Sequence, residues 1–295
     1  MRKQDAGAPM ALMAASTPLP SLFLSHGSPM IALQPGAAGA FMQRLGPALD
    51  AAFGRPRAIV VASAHSLARE PMLMAAPQHT TVHDFGGFPD ALYQLQYNAP
   101  GAPELAQQVA QHVRDAGLPV HVVPEGGLDH GIWIPLRFAY PDANVPVLPL
   151  AFPPDASPAQ LFALGRALAP LRAQQVLVIG SGSITHNLRL AMRQTNADAP
   201  EMPQSAAFRR WFAERSAALD HDALLHYRER APHAAAMHPT DEHLLPWYVA
   251  AGAGAEGPIV RVHDSVTMGC LGMDAYAFGA PALRLQQQLH EAVVA

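Results

Sequence analysis

Val176-Leu-Val-Ile-Gly-Ser-Gly-Ser-Ile-Thr-His186-Asn187 decides the fold. Its apolar half reads as a buried strand, and the glycines and serines after it read as a turn. Two other stretches repeat the arrangement. Leu22-Phe-Leu24 runs into Ser25-His26-Gly27-Ser28-Pro29, and Ala58-Ile-Val-Val-Ala62 runs into Ser63-Ala64-His65-Ser66. Three histidines from distant parts of the chain thus fall at the carboxyl ends of three candidate parallel strands. Open α/β sheets place their ligand site at that edge. Imidazole is the commonest metal ligand and titrates nearest neutral pH, so the pattern points to a metal site with an acid/base beside it.

Candidate strands lie at 20–25, 58–63, 120–123, 145–150, 176–181 and 258–263, with helical patterns between them. Pro103 to Gly117 is the plainest helix: proline opens it, Leu105, Val109 and Val113 share a face, and glycine ends it. Residues 158–173 form another, with Ser157 as N-cap and Leu161, Leu164 and Leu168 inward. Residues 205–219, 241–252 and 279–292 complete the set. Strands alternating with helices predict an α/β fold: a single domain whose central, mostly parallel sheet carries helices on both faces. Pro146 and Pro149 demote 145–150 toward an edge or irregular strand. Pro71 to Pro100 lacks helical periodicity and is too long for a simple connection. Its aromatics, Phe85, Phe88, Tyr93 and Tyr97, either wall a pocket for a flat substrate or pack the loop onto the body.

The 295 residues, half of them hydrophobic, suffice for one large domain. Residues 1–18 read as a disordered N-terminal tail and 19–295 as the domain. Arg2-Lys3 and the alanines after it form only a faint signal-peptide pattern, interrupted by Asp5 and Pro9. A net charge of −4 argues against a general nucleic-acid or anionic-membrane binder. Cys270 is the only cysteine, which excludes an intrachain disulfide, a Cys-rich zinc module and an iron–sulfur cluster, and fits a cytoplasmic location. No run approaches the length of a transmembrane helix. Gly180-Ser-Gly-Ser lacks the Lys-Ser/Thr of a phosphate-binding loop, and no nucleophile elbow is present.

Six blocks keep one order along the chain: Leu22-Phe-Leu-Ser-His-Gly-Ser-Pro-Met30, Ser63-Ala-His65, His83-Asp-Phe-Gly-Gly-Phe-Pro89, Leu128-Asp-His-Gly-Ile-Trp133, Gly180-Ser-Gly-Ser-Ile-Thr-His-Asn-Leu188 and His238-Pro-Thr-Asp-Glu-His-Leu-Leu-Pro246. Together they resemble the LigB superfamily of extradiol ring-cleaving dioxygenases, most closely its single-chain branch of DOPA-type 4,5-extradiol dioxygenases. The resemblance spans residues 19 to 280. One departure is Ser66, which stands where relatives often carry an aromatic residue and so bears on the shape of the substrate pocket.

His26 and His65 are the first two candidate metal ligands, on rigid strand ends. A lone histidine in such a place more often caps a turn; several in equivalent places favour the ligand reading. The third ligand comes from Asp241-Glu242-His243. Thr240 or Asp241 can cap a helix, which places Glu242 and His243 in its first turn, about a third of a turn apart, so only one faces the metal. Some LigB relatives use a glutamate here. The Glu-His-x-x-Pro pattern resembles the DOPA-type branch and implies His243. In the family, the residue matching His186 lies beside the metal as acid/base, and it can swing onto the ion as a fourth ligand. His130 is a further catalytic candidate, either contacting a substrate oxygen or holding a structural position. His83 and Asp84 can line the entrance.

The resemblance implies one divalent metal per chain, with iron(II) for dioxygenase activity; three or four imidazoles suit zinc(II) equally. The implied activity opens a catechol-type ring outside its diol pair with O₂, while His186 takes and returns a proton. The partners would be a small catechol and O₂, with no nucleic acid or membrane, in a monomer or small homo-oligomer. Two other readings use the same residues. A zinc hydrolase would employ His186 as base, and O₂ uptake with a catechol separates it from the first. A binding protein resembling the Memo family would need no chemistry, and failure to retain metal would favour it.

Overall fold

The computed structural model describes residues 17–254 and 257–294. Eight strands form its main sheet: β1 (Ser21–Ser25), β2 (Ala58–Leu67), β3 (Met72–Met74), β4 (His121–Val123), β5 (Val147–Phe152), β6 (Val176–Gly182), β7 (Ile259–His263) and β8 (Ala275–Phe278). Their order is β4-β3-β5-β2-β6-β1-β8-β7. The middle four, β5-β2-β6-β1, are mutually parallel. Antiparallel β8 and β7 extend one side. On the other, β3 runs antiparallel to β5, and β4 runs parallel to β3.

Period two along the central strands explains why the sheet is buried on both faces. Phe23, Val60 and Val178 pack into one core, with Leu105 and Val109 of helix α1 (Pro103–Asp115), Leu161 and Leu164 of α2 (Pro158–Leu168) and Val249 of α3 (Leu245–Ala253). Leu22, Leu24, Ile59, Val61 and Ile179 pack into the other. There they meet Phe41 and Leu45 of Gly36–Phe53, Trp133 of His130–Ala139 and Leu285 of Ala282–Val294. Ser157 caps α2 in a reciprocal box with Gln160.

Several expectations change. The 145–150 segment is an interior strand, not an edge. The Val147 N–H donates to Pro100 O, away from β2. Two-residue alternation turns the Pro149 nitrogen the same way, toward β3, which pairs with β5 only at Leu150 and Ala151. The missing donor therefore costs no ladder bond with β2. The helix expected over 241–252 begins at Leu245, so Glu242 and His243 sit in the turn before it. Helices Gly36–Phe53 and His130–Ala139 carry Pro47 and Pro135 in their interiors, which hid both from a pattern reading. Strands β3 and β8 are too short to signal themselves. Of the expected N-terminal tail, residues 1–16 lie outside the described residues.

Candidate functional site

β2, β6 and β1 are adjacent and parallel, so their carboxyl ends share one edge of the sheet. His26 follows β1, and its N–H donates to Gly182 O at 3.0 Å. Ser25 is fastened to the backbone oxygen of Asp274 through its N–H (3.3 Å) and its hydroxyl (2.8 Å). His65 stands on the last residues of the long β2. His243 arrives from the turn ahead of α3, which lies directly on the end of β6. A Cβ at Gly180 or Gly182 would sit 2.0 Å from Pro246 O or from His243 O. The two glycines let the strand end slide under that turn, and this is what the Gly-Ser-Gly sequence does here.

The hydrogen-bond network assigns the ring protons. The Ser181 hydroxyl donates to Gly131 O, so its oxygen accepts from His26 Nδ1–H at 3.0 Å. Glu242 Oε1 accepts from His243 Nδ1–H at 3.0 Å. The Asp84 carboxylate lies 3.4 Å from His65 Nδ1. His26 and His243 thereby keep their Nε2 lone pairs free. His26 Nε2 and His65 Nε2 face each other at 3.1 Å, and one nitrogen from each of His26, His65 and His243 falls within 4.8 Å of the others. Burial is the main force on these rings. It holds His26 and His243 well below the usual imidazole range, helped by the neighbouring rings, and brings His65 down to about 4. All three are neutral at pH 7, as metal ligation requires.

His186 stacks on His243, with centroids 3.4 Å apart and planes 8° from parallel. His186 stands beside the trio, with a ring nitrogen of His186, a Glu242 oxygen and a His243 nitrogen all within 4.8 Å of one another. Burial lowers it to about 4, while the Glu242 charge works in the opposite direction. His130 lies with its centroid 4.0 Å from that of His65 and 5.7 Å from Phe85. Phe85 also contacts Phe88 and Tyr93, forming an aromatic wall next to the histidines. Tyr97 instead packs the loop down, its hydroxyl donating to Tyr140 O. His83 is tied to Leu95 O and touches Phe85. Ser66 is buried, and its hydroxyl donates to the buried Asp129 carboxylate at 2.6 Å, as Ser63 does at 2.7 Å. Ser63, Ser181 and Asp129 escaped the sequence reading. A signal existed for Ser63, which stands two residues before His65 and so on the same strand face.

His238, fully buried, donates through Nε2 to Ile184 O at 2.8 Å, and burial brings it to about 4. Its folded value lies below its unfolded one of 6.5, so the unfolded chain holds the extra proton between them. The stabilisation is complete above pH 6.5 and is lost as pH falls toward 4. Urea midpoints from pH 7 to 5 should show a slope of up to about 1.4 kcal/mol per pH unit from this group. His238→Gln should lower the total slope by that share, leaving the part that comes from the buried site histidines; an unchanged slope contradicts the assignment.

Residues 20–279 match the family described as the catalytic LigB subunit of aromatic ring-opening dioxygenase. The chain belongs to the LigB family and, within it, to the branch of the 4,5-DOPA extradiol enzymes. The 4,5-DOPA dioxygenase extradiol of Escherichia coli K12 is 35% identical over 273 residues, covering 91% of this chain and 97% of that protein. The enzyme of the same description from Beta vulgaris is 34% identical over 265 residues, covering 88% and 96%. The crystal structure of an uncharacterized Escherichia coli K12 protein superposes with a TM-score of 0.70 at 29% identity, covering 88% of this chain and all of that one. This protein is therefore an oxidoreductase that opens aromatic rings with O₂, and its family is metal-dependent. No helix among the described residues is long and apolar enough to cross a membrane.

Proposed function

We propose that the protein is an iron(II)-dependent extradiol dioxygenase acting on a catechol-type ring, DOPA or a related diol, with His26, His65 and His243 holding the metal. The observation that carries this reading is the cluster itself: His26 and His243 engage Nδ1 with Ser181 and Glu242, and one nitrogen from each of His26, His65 and His243 lies within 4.8 Å of the others. His26 Nε2 and His65 Nε2, 3.1 Å apart, are close enough to share one ion. Glu242 accepts from His243 and from the Thr240 hydroxyl, which supports an orienting role for the carboxylate and the ligand role for the imidazole. When bound, iron(II) supplies the redox chemistry that O₂ requires and holds the diol next to it.

The chain's own residues then orient the ring and handle protons. Phe85 offers a flat apolar face and excludes water from one side. His186, neutral and beside the trio, takes the proton of a catechol hydroxyl oxygen and returns it as the ring opens. His130 meets the second hydroxyl oxygen through Nε2, since Asp84 occupies its Nδ1 at 2.9 Å. Anaerobic iron(II) loading followed by a catechol panel tests the reading. O₂ uptake with a coloured ring-opened semialdehyde is expected from ortho-diols, and no uptake with any diol overturns it. His186→Ala, at matched iron occupancy, should slow single-turnover ring opening by about 10²–10⁴-fold. A rate within a few-fold of the unmodified protein removes His186 from the mechanism.

A further inference from the structure

Asp84 belongs to the loop segment between Thr80–Thr81 and Asp90–Tyr93, outside the strand ends that supply His26 and His65. It nevertheless meets two donors of His130 and lies beside His65 at the site. Oδ1 accepts the backbone N–H of His130 at 2.9 Å, and Oδ2 accepts His130 Nδ1–H at 2.9 Å. The same Oδ2 lies 3.4 Å from His65 Nδ1. The two rings it faces are themselves close, with centroids 4.0 Å apart. One carboxylate therefore touches both a ring assigned to the metal and a ring assigned to the substrate.

We propose that Asp84 is a positioning residue that sets His65 and His130 as a pair, fixing the Nδ1–H tautomer of both so that each presents a bare Nε2 to the site. The proposal rests on the ligand reading of His65 given above. An ionised carboxylate only accepts, so neither ring can turn a bare Nδ1 toward it. An amide of the same shape cannot substitute. If the asparagine oxygen takes the His130 backbone N–H, its NH₂ faces the rings. Nδ1 must then accept, and the proton moves to Nε2, the atom that has to be bare. If the amide is turned over, its NH₂ meets the backbone N–H, donor against donor. Carboxylates in this position behind a metal-bound histidine are worth about 10–100-fold in metal affinity.

The test compares the full-length protein with Asp84→Asn and Asp84→Glu, each labelled with ¹⁵N-histidine. Long-range ¹⁵N–¹H spectra of the metal-free chains read the tautomers, zinc titration reads affinity, and steady-state catechol turnover follows. The unmodified protein should show Nδ1–H at His65 and His130. Asp84→Asn should move the His130 proton to Nε2 and weaken zinc binding about 10–100-fold. It should also lower kcat more than it changes KM. Asp84→Glu, still an acceptor, should recover the Nδ1–H signals and part of the affinity. An unchanged tautomer pattern in Asp84→Asn, with zinc affinity within a few-fold, overturns the proposal. So does a Glu variant that behaves like the Asn variant while melting at the unmodified temperature. Full zinc retention by His65→Ala would instead sink the ligand reading. The tautomer comparison, made without metal, decides the hold of Asp84 on His130 independently of it.

Discussion

His26→Ala and His65→Ala should each lose more than about 100-fold in metal affinity while keeping their helical circular dichroism. Removing a partner behind a metal-bound histidine already costs about 10–100-fold, and removing the ligand itself costs more. Both rings stand on ends of a sheet whose cores lie elsewhere, so the fold survives their truncation. The comparison that discriminates the third ligand is Glu242→Gln against His243→Ala. The glutamine should retain more zinc after dialysis, because it removes an orienting acceptor and leaves the imidazole. The reverse order would restore a carboxylate ligand, and full occupancy in both His26→Ala and His65→Ala would overturn the whole set.

Arg209→Met should cost about 3–5 kcal/mol of unfolding free energy, the largest effect expected away from the site. Arg209 and Asp274 are 5% and 0% exposed. The guanidinium meets Asp274 through Nε at 2.7 Å and Nη2 at 3.0 Å, and also binds Glu201 and Asp264. Burial pushes the Asp274 carboxyl up, and the guanidinium opposes that shift. Without Arg209, a buried carboxylate is left with Arg261 at 3.2 Å. The loss reaches the site as well, because the Asp274 backbone oxygen fastens Ser25, the residue before His26. Urea unfolding checks the figure, and Arg209→Met combined with Asp274→Asn should recover part of it. A loss below about 1 kcal/mol for Arg209→Met alone would show that the network is not coupled to folding.

The central sheet was legible because strands buried on both faces must be continuously apolar, and Ile59-Val-Val61 and Val176-Leu-Val-Ile179 are. The site edge was legible because a histidine lies at or just past the end of each run, although β2 continues through His65 to Leu67 where a turn was expected. Proline misled in three places for one reason. Pro149 sits in an interior strand with its nitrogen turned from β2, and Pro47 and Pro135 sit inside helices that tolerate them; none of these outcomes can be read locally. The start of α3 was missed because Thr240 and Asp241 resemble caps, whereas Pro246 in the first turn marks the helix that forms. What joins Asp84, Ser181 and Asp129 to the histidines is long-range: Ser66 and Asp129, or Asp84 and His130, are brought together only by the folded chain.

Anomalous scattering from crystals of the zinc- or iron-loaded protein locates the metal directly. One peak per chain is expected between the Nε2 atoms of His26, His65 and His243, at about 2.0–2.1 Å from each for zinc, with Glu242 turned away onto His243 Nδ1. A peak bound by the Glu242 carboxylate, or one seated among His65, Asp84 and His130, would contradict it.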